Sequence, residues 1–156
     1  MEKRSWLSGP EIPSQFDDDG APSRWPGENL GLPEHGEGSL ASVMRRVGGI
    51  TIDWFFAMFI AIIIGQLSGN GQFYAPSLTL GIFVIISIVS VALFARTPGH
   101  MMLRMGVARI DAQERVGLWR SVVRAALTVF IFPPIIVDAD GRGLHDRATG
   151  TAVILG

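Results

Sequence analysis

The sequence predicts an all-α membrane protein: a two-helix transmembrane hairpin, a third short or re-entrant membrane helix, and a disordered-type N-terminal tail. Three observations carry that expectation. Hydrophobic residues make up 48% of the 156 residues and charged residues only 17%, against ~25% charged in ordinary soluble domains. Two runs, Ile50 to Leu67 and Pro76 to Ala95, are apolar over bilayer length. Charge is also partitioned: residues 1–40 hold eight acids against three bases, whereas residues 41–156 hold six acids against ten bases. The net charge of -1 hides this division into two regions.

Residues 1–40 form the first region, an acidic tail rich in proline and glycine. It carries Pro10, Pro13, Pro22, Pro26 and Pro33 and shows no hydrophobic period. So little apolar surface cannot offset the entropy of ordering the chain. The opening Met1-Glu2-Lys3-Arg4-Ser5-Trp6 lacks the apolar stretch of a signal peptide. Trp6, Phe16 and Trp25 stand out in this region. They are either incidental aromatics or anchors that dock on a partner surface and order on binding.

Residues 41–156 form the membrane domain. The first run is eighteen residues with one acid, Asp53, near its start. At ~1.5 Å per residue it reaches about 27 Å, close to the hydrocarbon thickness. The second run has no charge, and Pro76 suits the first turn of a helix. The link between them, Ser68 to Ala75, is short and uncharged. Arg45 and Arg46 precede the hairpin, and Arg96, Arg104, Arg109, Arg115 and Arg120 follow it. The positive-inside rule then places both hairpin ends, and the tail, in the cytoplasm. The expected location is the inner (cytoplasmic) cell membrane, multi-pass, with a cytoplasmic N-terminus.

After the hairpin, Thr97-Pro98-Gly99-His100-Met101-Met102 restarts the chain as a short element on the membrane face. Val107 to Leu118 reads as a small β-hairpin turning near Asp111-Ala112-Gln113. A third apolar stretch spans Leu118 to Val137, but its uncharged part, Ala125 to Val137, is thirteen residues, short for a straight span. It either crosses with Arg120 and Arg124 snorkelling to the cytoplasm or dips in and returns at Pro133-Pro134.

Arg46 and Asp53 lie seven residues apart, two helical turns, on one face. An aspartate inside a bilayer helix needs a partner or water. Arg46, and Asp146 if the chain end folds back, would make one charged structural cluster with it. The other reading is a carboxylate that binds a proton or cation. Ala57, Ala61 and Gly65 continue the same face as a small-residue ladder that permits close helix approach. His145 beside Asp146 has no further ligand at metal spacing, so no metal is expected. The absence of cysteine excludes disulfides, zinc–thiolate sites and cysteine nucleophiles. No phosphate loop, serine elbow or metalloprotease motif is present, so neither enzymatic activity nor a cofactor is expected. Arginines scattered along a membrane face fit anionic lipids and not nucleic acid.

Four segments together resemble the RDD family of bacterial membrane proteins, named for one arginine and two aspartates. Arg45-Arg46-Val47-Gly48-Gly49-Ile50-Thr51-Ile52-Asp53 is similar to its opening helix. Thr97-Pro98-Gly99-His100 is similar to a turn in which lysine usually stands where this chain has His100, and Arg109-Ile110-Asp111 to the strand that follows. Leu144-His145-Asp146-Arg147-Ala148-Thr149-Gly150-Thr151 is similar to the closing signature, which makes Asp146 the second aspartate. The resemblance implies a membrane protein without a settled activity, some members having been proposed as cation/proton antiporters. A glycine- and proline-rich tail on an arginine-rich core looks like an actinobacterial member.

The expected function is that of a small non-enzymatic accessory or assembly subunit of a larger membrane protein complex, a respiratory assembly being one example. The alternative is a cation/proton transporter that works as an oligomer through Asp53. Against transport stands the helix count: two or three helices enclose no path alone, and the chain shows no repeat.

Overall fold

The computed structural model describes residues 23–69, 76–110, 116–130 and 141–156. Trp6, Phe16, the hairpin link from Asn70 onward, the turn near Asp111 and Pro133-Pro134 lie outside the described residues.

Two long helices dominate. Helix α1 runs Val43–Leu67 and α2 runs Pro76–Phe94. The start of α1 falls seven residues before the apolar run because Ser42 caps it, its Oγ accepting the Arg45 N–H at 3.3 Å. Both helices are long and apolar enough to cross a membrane. Only 22% of the apolar window of α1 and 17% of that of α2 is buried, so neither is the core helix of a soluble domain. The buried face of α1 is Arg46, Gly49, Asp53, Ala57, Ala61 and Gly65, whereas Phe55, Phe56, Phe59 and Ile62 point outward. Polar and small residues inside with large apolar residues outside is the order that lipid surroundings select. The two helices pack together, with Trp54 tilted against Phe83 at 5.7 Å between ring centroids.

Below the helices a small base is built. Helix α3, Pro98–Met102, is capped by Thr97. It comes so close to α1 that a Cβ on Gly99 would run into the Gly49 carbonyl. Strand β1 spans Met105–Arg109, α4 Leu118–Phe130, α5 Leu144–Thr149 and β2 Thr151–Leu155. Gly150 closes α5 in the left-handed conformation (φ 61°) and hands the chain to β2.

The sheet corrects two expectations. The protein is mostly helical and not all-α, and among the described residues of Val107 to Leu118 no second strand stands beside β1. Its antiparallel partner is β2, with Met105 opposite Leu155 and Arg109 opposite Thr151. Residues 116–118 form no strand: the chain turns at Gly117 (φ 76°) and enters α4. The apolar, β-branched end Thr151-Ala152-Val153-Ile154-Leu155 supplies the better strand, and Val153 joins Ala41 and Met105 in a buried cluster. Residues 38–41 lie along the other edge of β2: Gly38 N–H donates to Leu155 O at 2.8 Å and Ala41 N–H to Val153 O at 2.8 Å. So β2 is central, flanked by β1 and by the segment entering α1. Val107 N–H donates to Ala95 O at 2.7 Å, which ties the end of α2 to β1.

Helix α4 is turned inside out relative to a soluble amphipathic helix. Ser121, Arg124 and Ala125 are buried, while Leu118, Trp119 and Val122 are exposed. It packs against α2 and α5.

Candidate functional site

The inward faces of these elements meet in a buried polar site. Asp53 projects from α1 onto the start of α3, 4% exposed. Its Oδ1 accepts the Gly99 N–H at 2.7 Å and its Oδ2 the Thr97 hydroxyl at 2.5 Å. Thr97 Oγ1 in turn accepts the His100 N–H at 3.2 Å. A carboxylate thus satisfies donors at the start of α3 that have no partner within that helix. His100 Nδ1 faces the Thr97 N–H at 3.5 Å, an acceptor's place, which leaves the ring proton on Nε2. Burial, reinforced by the positive charge of Arg124, pushes the His100 imidazole down to about 3, so it is neutral near pH 7.

The second half of the site centres on Asp146 at the first turn of α5, which has no exposed surface. Its Oδ1 is ion-paired with Arg124 Nη1 and accepts the Thr151 hydroxyl at 3.3 Å. Arg124 Nη1 also donates to Thr151 Oγ1 at 3.2 Å. Arg46 Nη1 stands 4.0 Å from Asp146 Oδ2, and His145 Nε2 3.5 Å from Oδ1. Burial alone would raise the Asp146 carboxyl. The positive neighbours Arg124, His145 and Arg46 overrule it and hold the group below the usual carboxylate range. Between the two halves lies a cavity of about 30 Å³ lined by Arg46, Asp53, His100, Arg124, Thr128 and His145, among others. That is room for one or two waters.

The structure therefore brings Arg46 and Asp146 together directly. Asp53 shares their cavity, but its oxygens are bonded to Thr97 and Gly99. Ala57, Ala61 and Gly65 are buried along α1. Trp25 is half-buried in its own turn, with Nε1–H donating to Leu32 O at 3.1 Å and the Arg24 guanidinium over its ring. Of the two pictures of the third stretch, the one with Arg124 snorkelling does not describe this residue: it is 7% exposed and points inward to Asp146. Sequence reasoning missed it, along with Thr97, His100 and Thr151. The available signal was the spacing Ser121, Arg124, Thr128, one polar stripe in an apolar stretch. Among the described residues no group of three His, Asp or Glu is placed to hold a metal ion.

The segments that carry the family resemblance, 45–53, 97–100 and 144–151, thus converge on one buried site. A family model matches residues 40–150, under the description RDD family. The chain belongs to the RDD family. Comparison with curated proteins and with solved structures gives no match. With two helices fit to span a bilayer, this RDD chain is a membrane protein. His100 places a neutral ring in the same site as the Arg124 cation.

Proposed function

We propose that this RDD protein is a small non-enzymatic subunit that works within a larger membrane assembly in the cytoplasmic membrane, with its base and N-terminus on the cytoplasmic side. The observation that carries the reading is the engagement of its buried charges. Asp53 holds the start of α3, and Asp146 joins α4, α5 and β2 through Arg124 and Thr151. Charges so used hold a fold together: among the described residues the two buried carboxylates, Asp53 and Asp146, are both engaged by groups of this chain. The reversed polarity of α4 supports its lying in the bilayer as the third membrane element, since its exposed Leu118, Trp119 and Val122 are stable against lipid and costly against water. Gentle detergent extraction tests the reading: stoichiometric co-purification with a larger membrane complex supports it, and a homo-oligomer alone overturns it.

The second reading, a cation/proton transporter acting through Asp53 in an oligomer, is favoured by the polar cavity beside that residue. It requires pH-dependent cation exchange in vesicles that vanishes in a stably folded Asp53→Asn protein.

A further inference from the structure

On the outside of the base, an opening of about 300 Å³ is lined by Gly36, Glu37, Arg45, Arg104, Leu155 and Gly156. Three of these have charged side chains, Glu37, Arg45 and Arg104, and all three are exposed. Charges of opposite sign that share a pocket ordinarily close on one another. Here none of the three side chains has an ion pair or hydrogen bond among the described residues. Each of the three sits on a different segment. Arg45 is in the first turn of α1. Glu37 precedes the stretch bonded to β2 through Gly38 N–H and Leu155 O. Arg104 holds a left-handed backbone (φ 51°), unusual for a side-chain-bearing residue, and its carbonyl accepts the Gly156 N–H at 3.0 Å.

The depth of this pocket is readable from α1. Its 25 residues exceed the ~20 needed to cross hydrocarbon, so its first turn stands at headgroup level. Met44, 79% exposed, is next to Arg45, and the exposed Met101 and Met102 shortly precede Arg104. Each arginine is therefore bordered in sequence by apolar side chains suited to the acyl boundary. A pair of guanidinium groups matches the oxygens of a phosphodiester. A carboxylate across the same opening has no use for a plain anion and repels it. It matches a ligand that carries a cation a few bonds from its phosphate.

We propose that the pocket of Glu37, Arg45 and Arg104 binds a phospholipid headgroup bearing a primary ammonium, the phosphodiester between the two arginines and the ammonium on Glu37. Attraction to anionic lipids in general needs only the arginines. This site selects a zwitterion with N–H donors, and about 300 Å³ is of the order of small-ligand pockets.

The test uses the full chain purified in detergent and presented separately with short-chain phosphatidylethanolamine, phosphatidylcholine, phosphatidylglycerol and inorganic phosphate. Bound lipid is counted by mass spectrometry of the intact complex. The expected result is one phosphatidylethanolamine per chain. Retention of phosphatidylcholine should be about tenfold weaker, because its quaternary nitrogen gives Glu37 no hydrogen bond. Arg45→Gln and Arg104→Gln should each weaken phosphatidylethanolamine retention about tenfold. Glu37→Gln should abolish the preference over phosphatidylglycerol. All three side chains are exposed, so melting of the lipid-free variants should match wild type; the wild-type lipid series stands without them. Equal retention of phosphatidylethanolamine and phosphatidylglycerol overturns the proposal in favour of general charge attraction. Competition by inorganic phosphate at the lipid's own concentration identifies a free-phosphate site instead and overturns it too. No retained lipid does the same.

Discussion

Arg124 and Asp146 are the residues on which the base depends most. Each is buried, and each compensates the other. Removing one partner leaves an uncompensated charge, which costs about 3–5 kcal/mol in a fully buried pair, whereas replacing both by apolar residues is often near neutral. Arg124→Met should therefore lower the denaturation midpoint in detergent sharply, and Arg124→Met with Asp146→Leu should recover much of the loss. A double variant as unstable as the single would show that the pair does not act as a unit. Asp53→Asn should be milder, about 1–3 kcal/mol, because an amide still accepts the Gly99 N–H. His100 gives a pH dependence of definite sign. Its imidazole titrates near 3 in the fold and near 6.5 in the unfolded chain, so below pH 6.5 the unfolded state binds the proton that the fold excludes. That stability is complete above pH 6.5 and declines at about 1.4 kcal/mol per pH unit as pH falls toward 3. Melting between pH 7 and pH 5 should show the decline in wild type and a flatter profile in His100→Asn.

Among the elements, the α1–α3 contact is set by two glycines with unequal tolerance. A methyl on Gly99 meets the Gly49 backbone carbonyl, which cannot move without moving α1. A methyl on Gly49 meets the tip of the Met105 side chain at 2.9 Å, which can swing aside. Gly99→Ala should thus destabilise by about 1–3 kcal/mol, the usual range for overpacking, and Gly49→Ala by less. Chemical denaturation of both variants checks the order. The helices were legible because a run of eighteen residues with a single charge announces itself by composition, whatever it packs against. The sheet was not, because Met105 meets Leu155 across forty-nine intervening positions and no local turn marks the pairing. The inward turn of Arg124 was hidden because, in a thirteen-residue helix, a long cation at the middle can snorkel to water as easily as it reaches a partner. If α4 lies in lipid, a nitroxide attached at Val122→Cys should be open to dissolved oxygen and shielded from a water-soluble nickel reagent. The reverse pattern puts α4 at an aqueous surface.

At the scale of the whole molecule, orientation is open to a clean labelling experiment, since the chain has no native cysteine. His35 and Ser68 are exposed on opposite sides of α1. In intact cells an impermeant thiol reagent should modify Ser68→Cys and spare His35→Cys; the opposite result reverses the proposed topology. The sequence pointed to Arg46, Asp53 and Asp146 because a charge in an apolar helix demands an account and because the closing signature drew attention to the last. It could not supply their partners. Thr97 reaches Asp53 from 44 positions away and Thr151 reaches Asp146 only because Gly150 turns the chain, so neither neighbour is visible in local pattern.

The central place of β2 has a consequence for biosynthesis. Synthesis delivers both flanking segments, 38–41 and β1, before the strand that must lie between them. The hairpin can therefore be integrated while the base still waits for its middle strand, and Asp146, arriving in the same closing stretch, reaches Arg124 only then. Completion of the base therefore waits for β2 to emerge from the ribosome. Until that moment the nascent chain presents two strand edges without their middle strand and an Arg124 without its Asp146.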